Sequence, residues 1–273
     1  MTAAVPTGPP PRIRWRDNLA AAFEHELLLY RRTWRGSVFG NFLTPVLFLL
    51  AMGIGLGTYV NDNAAAALGG VTYLQFLAPG LLAGTLMQTA SFESSFPVLS
   101  GFNWTRRFHA MNAAPMSPAA IAVGHLLWTA ARLVFVGSVF VVVMALFGAA
   151  ASPLVVLAIP AAVLTGMAFA APITALMATQ RNPDKFFYLF RFAITPLFLF
   201  SGTFFPIDQL PEILRPLAWL SPLWHGVDLC RALALGTAGD APLLSLAHVG
   251  VLAGITLAGS LVAIRLFARR LQR

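Results

Sequence analysis

Few side chains in this sequence could perform chemistry, and their spacing argues against most of it. The histidines stand at 25, 109, 125, 225 and 248. His25 opens the run HELLL, which begins like the H-E-x-x-H zinc-protease helix but lacks the second imidazole that would share the metal. A single cysteine, Cys230, rules out an internal disulfide and a cysteine metal cluster. The single lysine, Lys185, lies in NPDKFF, so the loop G-x-x-x-x-G-K-[ST] that cradles nucleotide phosphates cannot be built. No serine occupies a G-x-S-x-G elbow. The expectation is a chain without catalytic residues, metal or cofactor of its own.

What remains is a set of polar groups inside or beside apolar runs. The stretch GFNWTRRFHAMNAAP, residues 101–115, interrupts the oil with two arginines, a tryptophan, a histidine and two asparagines. On a helix, Trp104, Phe108 and Met111 share an edge, with Arg106, Arg107, His109 and Asn112 around it. Such an edge needs a cover, either the membrane interface or a groove on a soluble protein. Glu93, His125 and Arg132 lie within apolar runs, where ionisable groups are costly. Glu93 and His125 are expected at similar depth in consecutive runs, with Arg132 about two turns further in and no acid matched to it. A structural network and a substrate route both suit these three. Arg191 can snorkel to a surface. The aromatics of 186–205, Phe198, Phe204 and Phe205 among them, circle their helix, so most must face lipid or neighbouring helices.

Composition explains why the polar groups stand out. The 273 residues are 58% hydrophobic and 10% charged, too little charge to cover a water-facing surface, and the mean hydropathy is +0.76. The net charge of +8 does not point to nucleic acid, because the arginines gather at the ends of apolar runs, as in a membrane protein. The proline-rich segment 1–14 has no apolar core before its arginines; it reads as disordered and not as a signal peptide.

Elements able to hold these groups follow from run length. A spanning helix needs about 20 apolar residues. Six runs qualify, at about 38–59, 73–96, 119–147, 154–179, 186–205 and 243–267. Ahead of them, 15–35 carries Trp15, Leu19, Phe23, Leu27, Tyr30 and Trp34 at intervals of three or four. That stripe predicts an amphipathic helix lying in the interface or packed over the bundle. With the N-terminus cytoplasmic, the basic residues near positions 12–35, 106–107, 181–185 and 265–273 all fall inside, and only Arg215 and Arg231 outside. Between the last two runs, 206–239 is too apolar for water and too rich in proline to span, so two short helices, about 208–219 and 222–235, are expected to dip into the outer leaflet. Four glycine pairs at GxxxG spacing, Gly36/Gly40, Gly53/Gly57, Gly80/Gly84 and Gly250/Gly254, predict close helix packing.

Two long stretches carry a family resemblance. LAPGLLAGTLMQTASFESSFPVLSGFNWTRRFHAMNAAPMSPAAIAVGHLLW resembles the second span, first cytoplasmic loop and third span of type-2 ABC exporter permeases. LFLFSGTFFPIDQLPEILRPLAWLSPLWHGVDLCRALALG resembles their fifth span and outer half-helices. Within the family the chain is most similar to the lipo-oligosaccharide exporters of the NodJ type, which are related to daunorubicin-resistance permeases. The resemblance implies an all-α membrane protein of six spans over residues 36–273, with an interfacial helix, a cytoplasmic coupling helix and two outer re-entrant half-helices. It implies two cytoplasmic ATPase subunits that carry ATP and Mg, a second permease copy or close paralogue, and a bacterial inner-membrane site with both termini cytoplasmic. Carried onto this sequence, the ATPase-coupling contacts are Phe102, Trp104, Arg106, Arg107, Phe108 and Met111. The candidate route and exit lid are Phe198, Phe204, Phe205, Asp208, Glu212, Trp224, His225, Asp228 and Arg231. The implied substrate is a lipid-linked saccharide or glycolipid, with a drug or antibiotic as the alternative. An ATP-independent secondary transporter or channel would need paired carboxylates at the midplane and internal repeats, and neither is evident. A membrane scaffold is the remaining class.

Overall fold

In lipid every backbone polar group must be satisfied within the protein, and a helix does this with its own chain. The computed structural model describes residues 14–31, 34, 43, 45–64, 68, 70–114, 116–213 and 215–272, and among them there are helices and no strands. In chain order the α-helices are α1 (Trp15–Tyr30), α2 (Leu56–Ala64), α3 (Tyr73–Asn103), α4 (Arg107–Ala113), α5 (Pro118–Leu146), α6 (Ala158–Thr179), α7 (Asp184–Leu189), α8 (Thr195–Phe200), α9 (Arg215–Leu220), α10 (Pro222–Leu235) and α11 (Pro242–Leu271). A π-helical turn, Leu49–Gly55, leads into α2, and another, Phe190–Ile194, joins α7 to α8. Among the described residues, three segments are long and apolar enough to cross a bilayer: α5, Pro153–Thr179 and α11.

The starts are set by local chemistry. Thr72 and Gln75 form a reciprocal capping box at α3. Ser117 accepts from Ala120 N at 3.2 Å and Pro118 follows, opening α5. Ser221 and Pro222 do the same for α10, which Gly236 ends in the left-handed region at φ 84°.

Several boundaries differ from the sequence expectation. The helix expected over 73–96 continues to Asn103 and takes Gly101 and Phe102 into α3. The fifth run is helical from 184 and stops at Phe200, so Phe204 and Phe205 belong to a turn. The first outer half-helix, expected over 208–219, is a 3-10 turn at Ile207–Gln209 and then only Arg215–Leu220, because Pro211 and Pro216 lack the N–H that a continuous helix needs. Of the first run, 38–42 and 44 lie outside the described residues, as do 1–13, 32–33 and 35.

The helix α6 is the hub of the bundle and packs against α3, α5, α10 and α11. Its buried face is built largely of small residues, among them Ala158, Ala161, Ala162, Thr165, Gly166, Ala170 and Ala171. Small residues let helices approach closely where lipid offers no hydrophobic drive between them. A Cβ at Gly166 would lie 2.7 Å from Leu133 Cδ1, one at Gly259 would lie 2.7 Å from Pro172, and one at Gly226 would overlap Thr165.

The expected glycine pairs fare unequally. Gly80 and Gly84 are tight, against Thr203 and Phe198, and Gly53 meets Leu74. Among the described residues, Gly57 meets only the Met52 carbonyl of the preceding π-helical turn, and Gly250 and Gly254 face open space, so helix packing among these residues does not explain them. The pair Gly36/Gly40 lies outside the described residues. Spacing alone does not say which helix face turns inward.

Gly226→Ala should lower stability in detergent by about 1–3 kcal/mol through overpacking against α6. Gly250→Ala should be neutral or slightly stabilising. Thermal melts of the two purified variants check the contrast.

Candidate functional site

Glu26 is the keystone of the first polar centre. On α1 the buried residues are Asn18, Ala22 and Glu26, a stripe at intervals of four that faces α5. Ala22 sits over Gly124, where a Cβ would come within 2.5 Å. Phe23 and Tyr30 set their rings edge-on to Trp128, each 5.5 Å between centroids. The predicted apolar stripe therefore divides: Phe23 and Tyr30 turn to the bundle, while Trp15 and Leu27 remain exposed. Glu26 Oε2 accepts from Arg107 Nη1 at 2.9 Å, and Oε1 accepts from His125 Nδ1 at 3.2 Å. Burial pushes the Glu26 carboxyl upward, but the hydrogen bond and charge of His125, with the charge and hydrogen bond of Arg107, overcome it and bring the pKa from 4.5 to about 2. One carboxylate thus joins α1, α4 and α5.

Glu93 and His125, expected at similar depth, do not meet. The acid that meets His125 comes from α1, which takes the second of its two expected places, packed over the bundle; Glu26 was not among the candidates. Its signal was present: Asn18, Ala22 and Glu26 repeat every four residues along the flank of the aromatic stripe. Glu93 instead holds Arg132, with Arg132 Nη1 2.5 Å from Oε1, so Arg132 does have an acid at its depth. The Arg132 guanidinium also lies over the Tyr30 ring, 4.8 Å from its centroid. The pair ties α3 to α5 and leaves Arg132 no free charge for a route.

The strip after α3 divides into an inward and an outward set. Arg106 takes left-handed backbone angles, φ 50° and ψ 22°, breaking the chain between α3 and α4. Trp104 therefore does not share a helix edge with Phe108 and Met111, and packs on Phe96 with centroids 5.8 Å apart. Phe102 and Phe108 are 3% and 1% exposed and close a triangle with Phe267 of α11, at 4.8–5.2 Å between rings. Gly101 permits this, since a Cβ there would come within 2.5 Å of Phe108. Of the six residues expected to touch a partner, Phe102, Phe108 and Arg107 point inward, Met111 is half-buried, and Trp104 and Arg106 are exposed. His109 is exposed beside them.

At the opposite end, Arg231 of α10 donates to Phe76 O at 3.2 Å and Gly202 O at 2.9 Å and covers the Phe76 ring. It is a clamp between α10, the start of α3 and the turn after α8, not a free lid charge. Trp224, His225 and Asp228 come together with His248 of α11, which the sequence reading omitted. His248 Nε2 lies 3.1 Å from Asp228 Oδ2, and its Nδ1 lies 2.7 Å from His225 Nδ1, so one imidazole of that pair donates and the other accepts. Trp224 stands edge-on to both imidazoles. Asp208 and Glu212 are exposed and apart from this cluster. The Asp208 and Leu210 carbonyls are held by Arg215. Phe204 and Phe205 line an apolar cavity of about 760 Å³ with Met52, Val60, Tyr73 and Phe200. Phe198 packs on Phe204 at 5.2 Å and fills the notch of Gly84 instead.

Among the described residues, the geometry is that of a helical bundle in which an exposed polar strip adjoins a buried ion-paired node. The family model described as ABC-2 type transporter matches residues 18–235. Nodulation protein J of Rhizobium leguminosarum bv. viciae is 31% identical over 257 residues, covering 94% of this chain and 96% of the relative. Nodulation protein J of Bradyrhizobium diazoefficiens is 30% identical over 256 residues, covering 94% and 95%. The inner membrane transport permease YadH of Escherichia coli is 24% identical over 229 residues, covering 83% and 86%.

Replacing Glu26 by Gln should cost on the order of 3 kcal/mol, because Arg107 and His125 lose the anion they were buried against. The sign with pH follows from the depressed pKa. The carboxylate's contribution is complete above 4.5 and is lost as pH falls toward about 2. The difference in melting temperature between the parent chain and Glu26→Gln should therefore shrink over that interval.

Proposed function

We propose that this chain, which belongs to the ABC-2 type transporter family, is the permease subunit of an ATP-driven exporter that moves an amphipathic molecule outward across the bacterial inner membrane. The reading takes the six apolar runs as spans and the arginine-rich ends, including both termini, as cytoplasmic. ATP and Mg belong to a separate cytoplasmic subunit, present twice, and a second permease copy or close paralogue completes the pore. The observation that carries it is the exposed strip Trp104, Arg106 and His109, seated on a rigid node built from Glu26, Arg107, His125 and the Phe102–Phe108–Phe267 triangle.

In this reading the strip is the coupling element. A push on Trp104 and Arg106 cannot be absorbed locally, because Phe108 is locked beneath α11 and Arg107 is tied to α1. Displacement passes to α1 and α5 through Glu26, and to α3 directly, since α3 runs unbroken into the strip. The Glu93–Arg132 pair makes α3 and α5 move together. At the far end Arg231 carries the motion of α3 into α10 and into the turn after α8, and that turn borders the apolar cavity. This chain makes and breaks no covalent bond; it converts a displacement on one side into access on the other.

The substrate class rests on the relatives named nodulation protein J and on the cavity. Its lining is almost wholly apolar, with Tyr73 and Gln209 the polar members, and it fits the lipid part of a lipid-linked saccharide or glycolipid. The same apolar lining favours a second reading, a hydrophobic drug or antibiotic.

Trp104→Ala with Arg106→Ala should weaken retention of the ATPase subunit by roughly tenfold or more and lower its ATP turnover in proteoliposomes, as expected for an aromatic–arginine anchor. Undiminished association and turnover would overturn the coupling role.

A further inference from the structure

Arginines crowd one trough whose lining, among the described residues, holds no carboxylate. The ends of α3, α6 and α11 and the start of α4 enclose a cavity of about 620 Å³ lined by Phe102, Asn103, Arg106, His109, Arg181 and Arg270. A second cavity of about 280 Å³ shares Arg181 and Arg270 with it and adds Arg269, Thr179, Leu266 and Ala178. Together they form one trough with four guanidiniums and an imidazole. Among the described residues, no carboxylate forms an ion pair with any of these arginines.

Arg270 is the fixed member. Its Nη1 donates to the carbonyls of Met177, Ala178 and Gln180 at the end of α6, and its Nη2 to Asn103 Oδ1. Asn103 in turn donates to the Arg181 carbonyl at 3.3 Å. The carbonyls at a helix C-terminus offset part of one positive charge. They do nothing for Arg106, Arg181 and Arg269, which remain exposed and face the same space. Like charges gathered without a counter-ion repel, so the arrangement is stable when an anion enters. Guanidinium forks match phosphate oxygens in pairs, and an imidazole and an amide add single hydrogen bonds. The backbone agrees: Arg106, which lines the trough, is the one non-glycine residue at positive φ among those described.

The trough also has an apolar wall, formed by Phe102, Leu266 and Ala178. A headgroup with an attached chain satisfies both parts. We propose that this trough binds a phosphate-bearing headgroup, supplied by an anionic phospholipid of the inner leaflet. The site goes beyond the export reading but rests on its orientation, with 101–113 at the inner surface. Bound there, the lipid would bridge the strip at 101–113 to the ends of α6 and α11, adding a contact that the protein alone lacks.

The test is native mass spectrometry of the full-length protein in mild detergent with added phosphatidylglycerol or phosphatidylcholine, beside inorganic phosphate. Phosphatidylglycerol should be retained over phosphatidylcholine. Arg106→Ala and Arg181→Ala should each weaken it by roughly tenfold, while Arg181→Lys, which keeps the charge and loses the fork, falls between. The charge-matched change Arg16→Ala, on the exposed face of α1, should leave it unaltered. All three positions are exposed, so unchanged melting curves exclude misfolding. Equal retention of both lipids, or an equal loss with Arg16→Ala, overturns the proposal in favour of general surface charge. Inorganic phosphate bound with the same arginine dependence, and phosphatidylglycerol not, leaves the phosphate site standing and overturns the lipid source. Loss of ATPase retention alone, with no lipid or phosphate bound, overturns it in favour of a protein contact. Arg181→Cys, labelled by an impermeant thiol reagent from the external side, would mark failure of the orientation separately, since Cys230 is buried.

Discussion

A charge in a low-dielectric bundle must have a partner, and that requirement fixes how the helices of this chain meet. Coulomb attraction that is weak in water grows severalfold where water is excluded, and so does the penalty for leaving a charge alone. Glu26 answers an arginine and an imidazole from two different helices, Arg132 finds Glu93, and Arg231 is met by carbonyls and an aromatic face. Each of these contacts crosses between elements far apart in sequence. They do not add much net stability, because desolvation offsets most of the attraction. They choose one arrangement among many that an oily surface would permit, and apolar contact alone cannot make that choice.

Small residues do the complementary work. The charges select partners, while Gly166, Gly226, Gly259 and the alanines of α6 let those partners come close enough for dispersion to hold them. The two devices depend on each other. A bulkier residue at Gly124 would lift Ala22 and with it Glu26, stretching the bonds to Arg107 and His125. Gly101 stands in the same relation to Phe108. Glycines therefore control the seat of the exposed strip without touching a ligand.

Much of this was legible in the sequence, and the failures are instructive. Helix identity followed from apolar run length, and the starts at Ser117–Pro118 and Ser221–Pro222 from capping chemistry. Ends were less legible. The helix α3 passes the point where hydropathy falls, because helical hydrogen bonding does not stop at a membrane surface, and the break comes only where Arg106 adopts positive φ. Pairing was the least legible. Glu93 and His125 were matched by depth along adjacent runs, but depth fixes one coordinate and rotation about the helix axis the other. Once α1 occupied the face of α5 that bears His125, Glu93 was left to Arg132. The coupling candidates divide into buried and exposed sets for a related reason. An aromatic in a short polar strip is equally suited to anchoring the strip to its own bundle and to gripping a partner, and composition does not separate Phe108, which does the first, from the exposed Trp104.

The distribution of these anchors bears on how a displacement would travel. The helix α3 meets anchors along its whole length: the strip grows from its end, Glu93 lies within it, and Phe76 near its start receives Arg231. A single helix of 31 residues is about 46 Å long, enough to reach from one membrane surface to the other. Pro79 and Pro97 each remove one of its internal hydrogen bonds, which places its points of compliance near the two ends and leaves the middle stiff. The tight contacts on the middle, Leu86 and Ala90 against Gly166, allow sliding more readily than separation. A strut that is stiff in the centre, yields near its ends and is tied at both by arginines is suited to carrying a movement of the strip at 101–113 to the turn beside the apolar cavity.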